Sequence, residues 1–267
     1  MSIVNSFFGF KSEPFSSEVS AKHLLKLPSL VAVKERFDYV AGGGVLLITG
    51  EVGSGKSTSL RWAQSHFHPS QYLFLNVTAS GGSLNEFYRQ LCWALDMQPR
   101  TGSRVGLIKE FKSCIREINT TKKQKIVVVV DEAHLLRTEV FAELHTLTQF
   151  DNDSKNLFAI VLAGQPNLLE KLTYRSSAPL ASRVIARTHL SNLNQDQMVV
   201  YLEHHLGVAG IKKQLFTEPA ITAIYQGSAG ILRKANLLAR GSLVAAATEK
   251  EPSVSADHVR IASTELM

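Results

Sequence analysis

The sequence predicts an α/β protein in which helices cover both faces of a parallel sheet, followed by a region that is helical throughout. Two observations predict this. Between Leu46 and Leu190, short apolar segments such as Ile126–Val130 alternate with segments whose apolar residues have helical spacing. After Leu190 only the helical spacing remains. Strands that are apolar along their whole length are typical of parallel sheets, since both faces of such a sheet are buried.

The chain up to Leu190 contains the alternating elements. The residues before about Ser29 have no clean period and predict an extended strap. The predicted strands are Leu46–Thr49, Tyr72–Asn76, Ile126–Asp131, Phe158–Ala163 and a fifth within "RVIARTHL". The predicted helices are Leu30–Val40, Ser57–Phe67, Ser83–Leu95, Val105–Ile118 and Glu139–Gln149.

Capping signals mark the helices of the second region. Asn194 with Gln197 predicts a capping box, Thr217 a cap with Pro219 in the first turn, and Ser255 the start of a last helix. We therefore expect an N-terminal arm over residues 1–29, an α/β domain over 30–190 and a small helical lid over 191–267.

Composition limits the classes of protein that this chain can belong to. With 267 residues, 45% of them hydrophobic and 19% charged, it can bury a full core. The longest apolar runs are much shorter than the roughly 20 residues that span a bilayer, and the N-terminus has no secretory signal. Cys92 and Cys114 stand apart without metal-ligand spacing. We expect a cytoplasmic protein with no membrane segment.

The net charge gives weak evidence about partners. The chain has a formal charge of +6 and a pI of about 9.3. This favours a polyanionic partner, nucleic acid first and an acidic membrane second, although many basic proteins bind neither.

A glycine-rich loop between the first strand and the next helix predicts a nucleotide-phosphate site. Its sequence fits G-x-x-x-x-G-K-[ST], in which backbone N–H groups surround the phosphates, the lysine reaches the β- and γ-phosphates and the hydroxyl ligates Mg²⁺. The alternative is a glycine-rich turn without a ligand, but a buried strand before the loop and a helix after it favour the phosphate site. The predicted contacts to ATP are Gly50, Glu51, Val52, Gly53, Ser54, Gly55, Lys56, Ser57 and Thr58.

An acidic pair at the end of a later strand completes the predicted site. Asp131 ends a buried strand, at the edge of a parallel sheet where ligands bind, and would ligate Mg²⁺ together with Ser57. Glu132 would deprotonate an attacking water. Gln165, after the next strand, would contact the γ-phosphate or that water. The alternatives are a capping Asp–Glu pair and an ordinary loop glutamine.

One stretch predicts a surface for DNA. Lys109, Lys112 and Arg116 have the spacing of one helical face, and three further lysines follow. These charges could neutralise DNA phosphates with little dependence on sequence, but an ordinary solvated helix face explains them equally well. The loop "NVTASGGSLNE" is a rival surface, because hydroxyls and bare backbone also contact phosphates.

Several motifs together give the chain a family resemblance. In matching order they are "FFGFKSEPF", "GEVGSGKST", "VVVVDEAHLL", "TQFDNDSKN", "LAGQPNLLEKL" and "GILRKAN". The chain resembles the bacterial AAA+ ATPases of the ExeA type over residues 7 to about 263. Some of these ATPases belong to secretion systems, and others are helper ATPases encoded beside transposases.

The resemblance implies a P-loop NTPase fold of the AAA+ class and further site residues. Lys56 and Ser57 match the phosphate loop of the family, Asp131 and Glu132 its acidic pair, and Gln165 its first sensor. An arginine from a neighbouring subunit completes such sites.

Arg183 matches this arginine finger best and Arg187 second, while Arg233 matches the second sensor in the lid. The family usually has proline before the second sensor, and Leu232 stands there in this chain. That departure puts the approach of the lid to the nucleotide in doubt. Each arginine could instead be a solvated surface residue.

From this resemblance we expect an ATP-dependent regulator of DNA transposition. Subunits would share MgATP sites in a homo-oligomer, a ring or a filament, assemble on double-stranded DNA and recruit a transposase. One alternative is a secretion-system ATPase. Relatives of that kind usually have a membrane segment and a cell-wall-binding region after the ATPase, and this sequence ends with its lid. Another alternative is a nucleotide-gated scaffold with negligible turnover.

Overall fold

The computed structural model describes residues 3–16, 19–151 and 156–265. Residues 152–155 of the motif "TQFDNDSKN" and residues 17 and 18 of the predicted arm lie outside the described part. The chain divides into two compact units, each described by itself below. Unit 1 comprises Met1–Lys26, Glu51–Gly55 and Ser191–Met267, and unit 2 comprises Leu27–Gly50 and Lys56–Leu190. The division predicted from the sequence, into an arm over residues 1–29, an α/β domain over 30–190 and a lid over 191–267, remains a prediction.

The helices follow one another along the chain as the capping and spacing signals predicted, with three short additions, one at the N-terminus and two between residues 164 and 184. They are α1 (Ile3–Phe8), α2 (Pro28–Val40), α3 (Lys56–Gln64), α4 (Leu84–Trp93), α5 (Arg104–Glu117), α6 (Thr138–Thr148), α7 (Leu168–Thr173), α8 (Ala178–Ala181), α9 (Gln195–Val208), α10 (Glu218–Ser228), α11 (Leu232–Thr248) and α12 (Ala256–Glu265). The first of them lies where the sequence predicted an extended strap.

Unit 2 is built on a parallel sheet that, within the described residues, has five strands. They are β1 (Gly44–Gly50), β2 (Tyr72–Thr78), β3 (Lys125–Asp131), β4 (Phe158–Gly164) and β5 (Val184–Leu190). The spatial order is β2-β3-β4-β1-β5, and every neighbouring pair is parallel. The predicted fold class is therefore confirmed, and the carboxyl ends of β1, β3 and β4 lie at one edge of the sheet.

Both faces of the sheet are buried along its three inner strands, which explains why β1, β3 and β4 are apolar at nearly every position. In β1, Leu47 packs in one hydrophobic core, whereas Leu46 and Ile48 pack in another on the opposite face. Successive side chains of a strand point to opposite faces, so a strand between two cores must be apolar at every position. Phe111 and Phe141 cover the first face from α5 and α6, and Phe37 covers the second from α2.

Unit 1 contains the helices of the predicted lid. The capping box predicted at α9 is present: the backbone N–H of Gln197 donates to the Asn194 side chain at 2.8 Å, and the N–H of Asn194 donates to the Gln197 side chain at 3.1 Å. Thr217 caps α10, whose first turn contains Pro219. The side chains of α11 and α12 pack on one another, with Ala262 against Gly241.

The N-terminal arm packs into unit 1 through two aromatic residues. Phe10 and Phe15 are 7% and 2% exposed. The Phe15 ring stacks on His205 of α9 at 5.2 Å and meets Phe216 edge-on at 5.9 Å. The backbone N–H of Lys11 donates to the carbonyl of Ala209 at 2.9 Å. The arm therefore contributes core side chains to unit 1.

Candidate nucleotide-binding site

The phosphate loop connects the end of β1 to the start of α3. Gly53 and Gly55 have φ angles of +83° and +95°, a region of backbone conformation that favours glycine. The Ser54 side chain is buried, and its hydroxyl finds no hydrogen-bond partner among the described residues. A buried hydroxyl without a partner is costly, and a phosphate oxygen would satisfy it. The loop, which belongs to unit 1, thus fits the phosphate group that its sequence predicted.

The first turn of α11 lies against this loop within unit 1. The backbone N–H of Arg233 donates to the Gly53 carbonyl at 3.1 Å. A Cβ atom on Gly53 would lie 2.7 Å from the Cβ of Arg233, and one on Gly55 would lie 3.1 Å from a methyl group of Leu232. The two glycines therefore allow the close approach of α11. Leu232, which replaces the usual proline of the family, is in contact with the loop.

The residues after the loop prepare a site for a cation in unit 2. The Ser57 hydroxyl donates to Oδ2 of Asp131 at 2.7 Å, and the backbone N–H of Glu132 donates to Oδ1 at 2.9 Å. Both carboxylate oxygens of Asp131 are thus oriented, with one of them on the hydroxyl of α3. A hydroxyl beside a carboxylate is a donor set that suits Mg²⁺. The structure brings together the two predicted metal ligands.

Lys56 is 6% exposed at the start of α3, where its Nζ donates to the Gly50 carbonyl at 2.9 Å. The ammonium itself carries positive charge, and the N-terminus of a helix adds positive potential at the same place. Both features favour an anion beside Lys56.

The segment after β3 turns sharply at the predicted base. Glu132 has a φ angle of +53°, and its side chain is 41% exposed. The short 3-10 helix Ala133–Leu135 follows it. Gln165 comes directly after β4, the neighbour of β3 in the sheet, and is half-buried. As predicted, Asp131, Glu132 and Gln165 lie at the same edge of the sheet.

One residue of this edge was missed by the sequence analysis. His134 is buried, and its ring lies between Glu132 and Gln165: Nδ1 is 3.3 Å from a carboxylate oxygen of Glu132, and Nε2 is 2.9 Å from the side-chain nitrogen of Gln165. The letters "DEAH" show the histidine, but no spacing rule indicates that its ring reaches back to the next strand.

A cleft of about 280 Å³ opens beside the Ser57–Asp131 pair in unit 2. Arg61 of α3 lines it, as do Gln64 and Asn76, whose side-chain amides exchange hydrogen bonds of 2.8 and 3.2 Å. The sequence analysis did not single out these residues. They give the metal-ligand pair a polar, open side.

The predicted arginine finger lies at the other edge of the sheet. Arg183 precedes β5, and its carbonyl accepts the backbone N–H of Val45, near the start of β1, at 3.0 Å. Five residues of strand separate Val45 from Gly50, a distance of about 17 Å. Arg187 is exposed on β5, and its carbonyl accepts a hydrogen bond from Arg36 at 2.7 Å. The structure therefore does not bring Arg183 to the lysine and the acidic pair of its own chain.

The basic face of α5 is smaller than predicted. Lys112 is half-buried, and its Nζ donates to the carbonyls of Thr146 and Gln149, at the end of α6, at 2.7 and 3.0 Å. Burial lowers the pKa of this ammonium. Lys109 and Arg116 are exposed, with Arg116 3.8 Å from Asp151. Lys112 is thus occupied as a helix cap. In the rival loop, the Ser83 hydroxyl accepts the N–H of Glu86 in a capping box of α4.

The described residues lack two features, a membrane-spanning helix and a cluster of metal ligands. Across residues 3–16, 19–151 and 156–265, no helix has both the length and the apolar character needed to cross a membrane. The same part of the chain has no cluster of three or more His, Cys, Asp or Glu side chains that could hold a metal ion. Cys92 and Cys114 are free thiols.

Comparison with known proteins supports the resemblance at family level. Residues 40–172 match the family model described as AAA domain. General secretion pathway protein A of Aeromonas hydrophila is 30% identical over 242 residues, which are 90% of this chain and 44% of that protein. The chain therefore spans less than half the length of that relative.

Solved structures match the fold over nearly the whole chain. The Aeropyrum pernix ORC2 protein, solved as ADPNP–ADP complexes, has a TM-score of 0.71 at 16% identity and covers 96% of this chain and 72% of its own. The Aeropyrum pernix ORC1 protein, solved in complex with DNA, has a TM-score of 0.66 at 18% identity over 91% of this chain and 67% of its own. With its parallel sheet and glycine-rich loop, the chain has the fold of the P-loop AAA ATPases, and the match to the AAA domain model lies within this fold.

Proposed function

We propose that this chain binds ATP together with Mg²⁺ and hydrolyses it. The observation that supports this best is the 2.7 Å hydrogen bond from the Ser57 hydroxyl to Asp131, since it joins the predicted metal ligands next to the buried Lys56. When bound, Mg²⁺ would supply positive charge to the β- and γ-phosphates.

The other residues have roles that follow from their chemistry. Lys56 would pair with the phosphates through its buried ammonium. Glu132, at the edge of the same sheet, would accept a proton from the attacking water. Gln165 would hydrogen-bond to that water or to the γ-phosphate. Arg233 would respond to the nucleotide from unit 1, where its backbone already contacts the phosphate loop.

Two variants test this proposal. We expect Lys56→Ala to abolish MgATP binding, because the charge that pairs with the phosphates is lost. Glu132→Gln should retain binding and lower kcat at least about 100-fold, because an amide cannot accept the proton. Binding of a fluorescent ATP analogue and release of phosphate measure the two effects separately. Equal turnover of wild type and Glu132→Gln would exclude Glu132 as the base. Tight binding by a wild type with no turnover would favour the nucleotide-gated scaffold.

For the cellular process, the comparisons favour the secretion alternative over transposition. The supporting observation is the 30% identity to a general secretion pathway protein over 90% of this chain. We propose that the chain is the ATPase part of a secretion-type system, located in the cytoplasm, and that ATP sites are shared between subunits of a homo-oligomer.

Regulation of DNA transposition, with double-stranded DNA and a transposase as partners, is the second candidate. The formal charge of +6 favours it, as does the exposure of Lys109 and Arg116. DNA binding separates the two candidates, because the second requires it.

A further inference from the structure

Several hydrogen bonds connect the segment after β3, which contains Glu132, to the segment after β4, which contains Gln165. The proposed chemistry assigns no role to these hydrogen bonds. The backbone N–H of Gln165 lies 3.4 Å from Nδ1 of His134, in addition to the side-chain contact at Nε2. Lys171 of α7 donates to the carbonyls of His134 and Leu136, the latter at 2.6 Å. The segment after β4 therefore holds the segment after β3 at several points.

The fit around His134 leaves its ring little room to move. A Cβ atom added to Gly164 would lie 3.0 Å from the His134 backbone nitrogen and 3.3 Å from its ring. The side chain is 7% exposed. Because the ring is packed between fixed neighbours, the main change open to it is a change of tautomer, in which the proton moves from one ring nitrogen to the other.

The two nitrogens of a neutral imidazole have opposite roles, because one donates and the other accepts. With the proton on Nδ1, the ring donates to Glu132 and accepts from the Gln165 amide N–H. With the proton on Nε2, the ring donates to the Gln165 amide oxygen, and Nδ1 accepts the Gln165 backbone N–H. In that arrangement Glu132 loses its donor, so the orientation of the Gln165 amide determines whether the ring holds the Glu132 carboxylate.

We propose that His134 is a positioning residue that couples the orientation of the Gln165 amide to the placement of the Glu132 carboxylate. This inference rests on the proposed ATP hydrolysis, in which Gln165 contacts the γ-phosphate or the attacking water. A bound triphosphate that turns the amide thereby places the base, whereas a diphosphate does not. The catalytic groups remain Glu132 and Gln165, and His134 acts only through them.

Three substitutions separate the two contacts of the ring. His134→Phe keeps the ring volume and removes both hydrogen bonds. His134→Asn keeps an N–H close to the position of Nδ1, and His134→Gln keeps an amide close to that of Nε2. His258→Phe is a matched control, because His258 is also buried and its Nε2 lies 3.0 Å from Glu249, but it belongs to unit 1.

We expect His134→Phe to lower kcat about 10-fold or more, since a displaced base reacts poorly, while KM and the Kd for the fluorescent analogue stay within about 3-fold. His134→Asn should recover most of kcat, and His134→Gln should not. His134→Phe added to Glu132→Gln should cause no further loss, because residues that act as a unit are not additive. His258→Phe should keep the wild-type kcat.

Several results would overturn the inference. They are equal kcat values for His134→Asn and His134→Gln, a change in KM without a change in kcat, and a full additional loss in the double variant. If His134→Phe does not fold, as judged by circular dichroism, the comparison of His134→Asn with His134→Gln decides alone. A wild type without ATP turnover contradicts the proposed function itself, which is a different result from any of these.

Discussion

At the scale of single residues, His205 of unit 1 is a buried histidine among aromatic side chains. Its ring lies between Phe15 of the arm and Tyr201 of α9, with ring centroids 5.2 and 4.5 Å away. Burial, together with a smaller contribution from the neighbouring His204, lowers the pKa of His205 to about 4. The folded state therefore prefers the neutral ring.

This preference predicts a dependence of stability on pH. Between pH 6.5 and 4 the unfolded chain protonates His205 and the folded protein does not, so acidification favours unfolding. The free energy of unfolding falls by about 3 kcal/mol over that range. Between pH 7 and 5, the interval used for the measurement, it falls by about 2 kcal/mol. Above pH 6.5 this residue causes no dependence. Urea unfolding of the wild type at pH 7 and 5 measures the change.

His205→Phe is the matched variant for this measurement, because it keeps the stacked ring and cannot be protonated. Its free energy of unfolding should fall by about 2 kcal/mol less than that of the wild type over the same pH range. An equal fall in both proteins would mean that other groups cause the acid sensitivity.

At the scale of elements, the features that could be predicted have a periodic pattern or a fixed spacing in the sequence. The features that were missed depend on contacts between segments that are distant in the sequence. All five strands were predicted, and the signal was strongest for the inner strands β1, β3 and β4, which lie between two cores and are apolar at nearly every position. The phosphate loop and the acidic pair have fixed spacing and were equally visible. The helices α1, α7 and α8 were missed because segments of six residues or fewer show too little of a helical period. The contacts of His134 and Lys112 were missed because they join separate elements, which spacing along one element does not reveal.

The DNA prediction belongs to one element, the exposed face of α5. If the chain binds DNA there, reversal of Lys109 and Arg116 to glutamate should weaken binding and make the dependence of log K on log salt less steep by about 2. Lys112 is left unchanged because it caps α6. Fluorescence anisotropy of a labelled duplex across a salt series measures this with a slowly hydrolysed ATP analogue, with ADP and without nucleotide.

The control for α5 is Lys212→Glu with Lys213→Glu, two exposed lysines of unit 1 whose reversal changes the net charge equally. Binding that both double variants weaken alike would indicate a general charge effect, and α5 would not be the surface. Absence of binding under every nucleotide condition at low salt would remove the transposition candidate and leave the secretion candidate.

At the scale of the whole molecule, the proposed role of Arg183 as an arginine finger predicts that an assembly, and not a monomer, hydrolyses ATP. Its backbone is paired with the start of β1, while Lys56 follows the end of that strand. A finger so far from the lysine of its own chain can act only on a neighbouring copy. Arg187, the second choice, is also on β5.

Mixing two inactive variants tests this. Lys56→Ala keeps an intact Arg183, and Arg183→Ala keeps an intact phosphate loop. An interface is complete when it pairs that loop with that arginine, so about one quarter of the interfaces in a 1:1 mixture are complete. We expect ATP turnover to recover towards that fraction in a phosphate-release assay, while each variant alone stays inactive.

The control mixture pairs Lys56→Ala with Glu132→Gln. Both residues belong to the same site of one chain, so no complete interface forms and no activity should return. If the Arg183 mixture also stays inactive at every ratio while oligomers form, Arg183 does not act between subunits, and Arg187 is tested in the same way.

The packing of the N-terminal arm limits where the chain can be shortened for experiments. A shortened protein that begins at Leu27 would lack Phe10 and Phe15, and it would uncover the faces of His205 and Phe216 that Phe15 covers. An exposed aromatic surface promotes association between molecules. A shortened protein should therefore keep the arm, and an affinity tag at the N-terminus needs a spacer ahead of it.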